Sequence, residues 1–403
     1  WFLREVLDRY RDRPFWLSQQ ALRTAKDAAD VVLYLVNSSE NPRDAGYLPA
    51  EMKILEWLGK PVVVLLNQMG PPRPGNEEHS EQARWREHLQ QYPIVRDVLA
   101  LDAFARCWVH ERVFYEAVGK LLPQSQQAGY ARLFAAWQTQ NTARFQQAMR
   151  LLATQLAVAG QDREAIEPVS KGLLKSALQV VGIGKNAEQQ RQEKAMANLV
   201  ARLNTHSGET TRELLILHKL DPTDAHKINS RIRENFAVRA PIDKAQAGLL
   251  GAMISGAATG LSADLISGGL TLGTGALLGG VVGALTFAGA AWGFNSGTDR
   301  NEPTMQFTDA FLRTLVVAGV LRYLAVAHFG RGRGNFVESE APAFWQDEVE
   351  QAVARHDAAL LELWKDLRRE KSPEQAVERV TPVIVAITSD TLARLYPAVA
   401  RLV

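Results

Sequence analysis

The sequence predicts an α/β fold, with a parallel sheet near the start of the chain followed by a mostly α-helical domain that contains a Gly/Ala-rich apolar helical hairpin. Three observations predict it. Two short apolar runs, "VVLYLVN" at 31–37 and "PVVVLLN" at 61–67, flank a segment with helical spacing, which is the pattern of a βαβ unit. From residue 124 to about 243 the apolar period is helical, with no strand. Between Lys244 and Asp299 the only formal charge is Asp264, in a block built largely of Gly, Ala, Leu, Ile, Val, Ser and Thr.

Taken in order, "WLSQQALRTAKDAAD" at 16–30 reads as a short helix ahead of the first strand, which enters the loop "SSENPRDAGY". "LPAEMKILEWLG" has apolar residues at helical spacing and ends in Gly59, after which the second strand begins. Both strands are apolar on both faces, as expected in a parallel sheet covered by helices. A Pro/Gly-rich loop at 70–75 precedes a polar helix, "SEQARWREHLQQY". "VRDVLALDAF" supplies a third strand with its loop, and "ERVFYEAVGKLLP" a helix closed by Pro123. Beyond it, "YARLFAAWQTQNTARFQQAMRLLATQLAVAG" is one long helix or two abutting ones. The domains expected on these grounds are 1–123, 124–243, 244–298 and 299–403.

The block after Lys244 carries glycine pairs at i,i+4, among them Gly256/Gly260, Gly275/Gly279 and Gly279/Gly283. Glycine weakens a helix in water, so such a helix needs a packing reason to carry so many, and small-xxx-small spacing supplies one by letting backbones approach closely. Leu270 to Phe294 holds no charge and exceeds the roughly 20 residues that span a bilayer; Ala245 to Ser262 is a shorter partner, with a turn near Asp264. Bilayer contact and a buried hairpin in a soluble core both stay open. "FLRTLVVAGVLRYLAVAHFG", with Arg313 and Arg322, reads as an amphipathic or buried helix rather than a span. The tail from 342 is helical, and "TPVIVAITSDTLARLYPAVARLV" is open between a strand then a helix and one buried helix.

Composition narrows the function classes. With 46 Lys plus Arg against 44 Asp plus Glu, no global charge argues for a nucleic-acid binder or an acidic partner. Cys107 is the single cysteine, which excludes an intrachain disulfide or a thiolate cluster built by one chain, and the compartment reads as reducing. His79, His110, His206 and His218 have no metal-ligand spacing. "VGIGKNAE" at 181–188 lacks the upstream glycine and the Ser or Thr that a phosphate loop needs after Lys185, so it reads as a helix terminus.

Asn67 is the residue that asks for a function. It follows a central parallel strand and therefore sits at the C-terminal edge of the sheet, where ligands of open α/β folds bind. An amide there can hold a loop or a purine ring through paired hydrogen bonds, and burying it unpaired costs about 1 to 3 kcal/mol. A strand-capping Asx turn is the other reading of the same residue.

The order "ADVVLYLVNSSENP", helix, "GKPVVVLLNQMG", helix, "VRDVLALDAF" resembles the second half of an Era-like or Ras-like GTPase domain, over roughly residues 16–123. The resemblance makes the sheet a partial P-loop-type GTPase sheet. It places Asn67 at the Asn of the asparagine-lysine-x-aspartate element, Gln68 at the lysine and Gly70 at the aspartate, with Leu101, Asp102 and Ala103 around the last base-contacting loop. It implies that Asn67, Gln68, Asp102 and Ala103 hold the base of GTP or GDP. Gly70 has no side chain with which to read the guanine edge, and the aliphatic part of Gln68 fills the lysine's role only in part. The groups for the phosphates and Mg2+ come, in the resembled order, before the strand at 31–37; they are expected upstream of Trp1, and GTP hydrolysis is expected only if that half is there.

With the helices and the Gly-rich block added, the chain resembles a bacterial family in which a GTPase is fused to a helical domain of unknown function, often associated with membrane proteins. The resemblance implies a membrane-associated GTPase or nucleotide-dependent switch on the cytoplasmic side of the inner membrane, with the cytoplasm as the alternative. A membrane or integral membrane protein partner is expected, together with homo-oligomer contact through the Gly-rich helices. A non-enzymatic scaffold with a degenerate nucleotide fold, and a pore or membrane-remodelling protein, are the alternatives.

Overall fold

A computed structural model of the chain describes residues 13–68, 77–101, 107–165, 183–222, 292–295, 304–328 and 344–396. It divides into two units, Trp1–Thr142 and Ala143–Val403, with the boundary inside one long helix. Most of the Gly-rich block expected to form a hairpin, residues 245–291, lies outside the described residues, as do Gly70, Asp102 and Ala103.

In the first unit, α1 (Arg13–Ala28), β1 (Val32–Asn37), α2 (Leu48–Leu58), β2 (Val62–Asn67), α3 (Glu77–Leu89), β3 (Val95–Ala100) and α4 (Trp108–Leu121) follow one another in the expected order. The three strands form one parallel sheet in the order β1-β2-β3. Gly59 ends α2 at φ 68°, a left-handed conformation that costs glycine nothing, and its N–H reaches the carbonyls of Leu55 and Glu56. That turn starts β2 in the middle of the sheet.

Period-two alternation decides what each strand residue meets. Val62, Val64 and Leu66 pack with Val36 and Val98 against Leu48, Met52, Leu55 and Leu58 of α2 and Trp85 and Leu89 of α3. Val63, Leu65 and Leu99 face the other way, against Val113, Phe114, Ala117 and Leu121 of α4. Each fully buried Val or Leu contributes about 1.5 to 3 kcal/mol, which makes β2 the anchor of this core.

The expectation that both strands are covered on both faces fails at β1. Leu33 is 42% and Leu35 58% exposed, because β1 is an edge strand and the α4 cluster gathers on β2 and β3. Continuous apolar sequence does not tell a central strand from an edge one.

Past Pro123, α5 (Gln124–Gln161) is a single helix. In the first unit it is fixed to α4 by Tyr130, whose hydroxyl donates to the Tyr115 carbonyl at 2.7 Å, and by the edge-on contact of Tyr115 with Trp137 at 4.9 Å between ring centroids. Gly119 permits this approach, since a Cβ there would lie 2.8 Å from the Tyr130 ring.

In the second unit, α5 buries Phe145, Ala148, Met149, Leu152, Ala153, Leu156 and Ala157, which recur at three- and four-residue intervals. It is followed by β4 (Arg163–Ala165), α6 (Ile183–Leu217), β5 (Trp292–Asn295), β6 (Thr304–Phe307), α7 (Asp309–His328), α8 (Phe344–Arg355), α9 (Asp357–Leu367) and α10 (Pro373–Leu395). Three strands correct the sequence reading. β4 falls in the stretch expected to be purely helical, β6 in the region expected to be helical after 299, and β5 takes Trp292 to Phe294 from the end of the expected apolar span. They pair antiparallel in the order β4-β6-β5. Each is three or four residues long and finds its partner far along the chain, so no local period marks it.

The long charged side chains around this sheet hold its ends. Arg202 of α6 takes both Asp162 oxygens at 2.8 and 3.0 Å and Glu164 at 2.7 Å, while Gln161 donates to the Glu370 carbonyl at 3.0 Å and Arg163 to that of Arg368. The Gln161 and Arg163 bonds satisfy carbonyls just past the end of α9 that no further turn could satisfy. The open choice for the last segment resolves as one helix: α10 begins at the Ser372 cap, whose Oγ accepts from the Gln375 N–H, has Pro373 in its first turn, and continues through Pro382.

The centre of the second unit is α7. Every residue from Leu315 to His328 is buried, so the helix is apolar around its circumference and enclosed by protein. It is long and apolar enough to cross a membrane, at a mean hydropathy of 1.7, but 83% of that window is buried.

Candidate functional site

Parallel pairing brings two asparagines together. In the β1–β2 ladder Val32 sits opposite Val62 and Asn37 opposite Asn67, so both strands end at the same height with the same residue. The ladder extends one step further, where the Ser38 N–H donates to the Asn67 carbonyl at 2.9 Å, and on the other side the Leu101 N–H donates to the Leu66 carbonyl at 3.2 Å. The C-terminal edge of the sheet is thereby fixed by backbone bonds up to the residues that would meet a ligand.

The two amides are used differently. The Asn37 Oδ1 accepts from the Ser39 N–H at 3.1 Å and the Ser39 hydroxyl at 2.7 Å, a local Asx turn that starts the β1–α2 loop. Tyr47 closes that loop by donating to Glu40 at 2.9 Å, and Tyr34 of β1 donates to Glu51 of α2. Burial, then these carboxylates, push the Tyr47 hydroxyl up to about 12 and the Tyr34 hydroxyl further above its ordinary value of 10.0. Asn67 is half-buried, and the chain turns directly after it: Gln68 is exposed with φ 58°, a left-handed conformation that disfavours an L side chain.

Ser38, which the sequence reading passed over, is fully buried, and its hydroxyl finds no hydrogen-bond partner among the described residues. An unmet hydroxyl of this kind costs about 1 to 3 kcal/mol. The signal that could have found the pair was on view, since both strands end in an apolar residue followed by Asn. After β3, Cys107 heads α4 in an extended conformation, its N–H donating to the His110 Nδ1 at 3.2 Å with its Sγ 3.8 Å from the same nitrogen. An Nδ1 that accepts leaves the imidazole proton on Nε2.

Of the four residues expected to hold a base, the structure places Asn67 and Gln68 at this edge; the other two are outside the described residues. A surface hollow of about 370 Å³ lined by Pro42, Arg43, Arg84, Glu87 and His88 includes none of Asn37, Ser38, Asn67 or Gln68. It lies between the β1–α2 loop and the C-terminal end of α3. Among the described residues no three His, Cys, Asp or Glu side chains converge as a metal set.

The fold and this edge define a mixed α/β protein, mostly helical, with a small parallel sheet whose first two strands each end in asparagine. Residues 86–382 match the family described as Domain of unknown function (DUF3482), and the chain belongs to that family. No curated protein and no solved structure matches the chain. The family match starts inside α3, so β1, β2 and Asn67 lie ahead of it.

Proposed function

We propose that the first unit is the base-binding half of a GTPase-type nucleotide domain, and that the protein is a membrane-associated, nucleotide-dependent switch. The observation that carries this reading is Asn67 at the C-terminal end of the buried central strand of a parallel sheet, held there by backbone bonds on both sides. The exposed Leu33 and Leu35 on edge strand β1 support it, because an edge with large apolar side chains and no charge is suited to pair with a further strand. Asn67 would accept and donate at the purine ring, with Gln68 lying along the base and Asp102 and Ala103 closing the far side. GTP or GDP with Mg2+ is the cofactor this reading implies. Membrane or membrane-protein contact, and any self-association, fall to the Gly-rich segment, since α7 is enclosed by protein.

Calorimetry of the protein with GTP, GDP and ATP in Mg2+ tests the reading, with Asn67→Ala as control. Guanine binding that the substitution abolishes supports it. A folded protein that binds no nucleotide overturns it and leaves the rival, a scaffold built on a degenerate nucleotide fold, which Gly70 at the position of the base-reading acid favours.

A further inference from the structure

Arg322 lies in the middle of α7 and is 1% exposed. Its Nη1 donates to the Gln155 Oε1 of α5 and its Nη2 to the Ser207 Oγ of α6, each at 2.8 Å, and its Nε has no partner among the described residues. No carboxylate pairs with it among the described residues, whereas Arg313, nearer the start of the same helix, pairs with Asp357 at 2.7 Å. Burial pushes the guanidinium down from 12.5 to about 10, so it remains charged at neutral pH. A buried cation met by two neutral oxygens recovers less than it loses on leaving water, and well-packed apolar residues in its place are often as stable or more so. Stability alone therefore does not explain it.

Uniqueness does. Between Leu315 and Ala327 no residue of α7 but Arg322 is charged and all are buried, so over this stretch apolar burial alone does not resist a rotation or an axial slip. The ends of the helix are tied by Arg313 to Asp357, by Asp309 to Arg368 and by His328 to Tyr396. Arg322 is the charged tie to α5 and α6. One turn away from Arg322 on either side stand Ala318 and Val326, both buried and apolar. A one-turn slip would set one of them between Gln155 and Ser207 and bury the guanidinium against an apolar wall. A single height and rotation lets the planar fork reach both oxygens, on two different helices.

We infer that the Arg322, Gln155 and Ser207 cluster is a register pin that selects one position of α7 against α5 and α6 at a cost in stability. The test replaces the whole cluster, so that no orphan oxygen is left behind: Arg322→Met, Gln155→Leu and Ser207→Ala together in the full chain. Nitroxides at Ala310→Cys and Thr205→Cys, both exposed positions, report the axial position of α7 against α6 in a Cys107→Ser background. The expected result is a melting temperature equal to or above that of the parent, with the single distance replaced by two populations offset by about 5.4 Å, one helical turn. A variant that melts below the parent or fails to fold overturns the inference, because the cluster is then simply stabilising. A variant that keeps one distance overturns it as well, because apolar shape and the contacts at the two ends of α7 then set the register without the cluster.

Discussion

At Gln68 the backbone opposes the side chain. A left-handed φ of 58° costs a residue with a Cβ roughly 1 kcal/mol that glycine avoids, so Gln68→Gly is expected to raise stability by about that amount in urea unfolding. If Gln68 also lies along a base, the same substitution weakens nucleotide binding, and the two effects have opposite signs. The tyrosines of the neighbouring loop make a pH prediction. Tyr34 and Tyr47 are raised in the folded state above an ordinary value of 10.0, so their contribution to stability is complete below pH 10 and is lost as pH rises through the folded values. Alkaline unfolding should be steep above pH 10, and Tyr34→Phe should make it shallower. Asn67 was legible because an amide after five apolar residues is conspicuous, while Ser38 was not, since a serine in a loop looks ordinary until its burial is known.

Among the elements, the α4–α5 junction gives the clearest contest of magnitudes. Alanine is favoured over glycine inside a helix by roughly 1 kcal/mol. At Gly119 it would meet the Tyr130 ring at 2.8 Å, and that ring is pinned by its bond to the Tyr115 carbonyl. The clash should win, so Gly119→Ala is expected to lower stability by about 1 to 2 kcal/mol, read from the shift in the urea midpoint. The same scale shows what sequence could reach. α2, its Gly59 stop and β2 were legible because each is written in a contiguous stretch with its own period. β1 was placed along the chain correctly, but its edge position depends on which strands pair beside it. β4, three residues reading Arg-Glu-Ala, carries no period at all; it exists because β6 lies alongside it.

For the whole molecule, α/β followed by helix was legible from the order of periods, and the polar fork buried inside α7 was not, because a sequence pattern marks an arginine without saying what surrounds it. Membrane contact belongs to this scale too. If residues 245–291 carry it, the full chain should float with anionic phospholipid vesicles, and a chain with that stretch exchanged for a polar linker should stay at the bottom of the gradient. Loss of flotation in neither or binding by neither counts against assigning the contact to that stretch.

The small antiparallel sheet has a practical corollary. β6 lies between β4 and β5, and Gln161 and Arg163 reach carbonyls at 370 and 368, so residues on either side of more than a hundred positions are stitched by many noncovalent bonds. One peptide bond cut between β4 and β6 should therefore yield two bands on a denaturing gel and one unshifted peak in size exclusion. Neither piece, expressed alone, carries all three strands of the sheet.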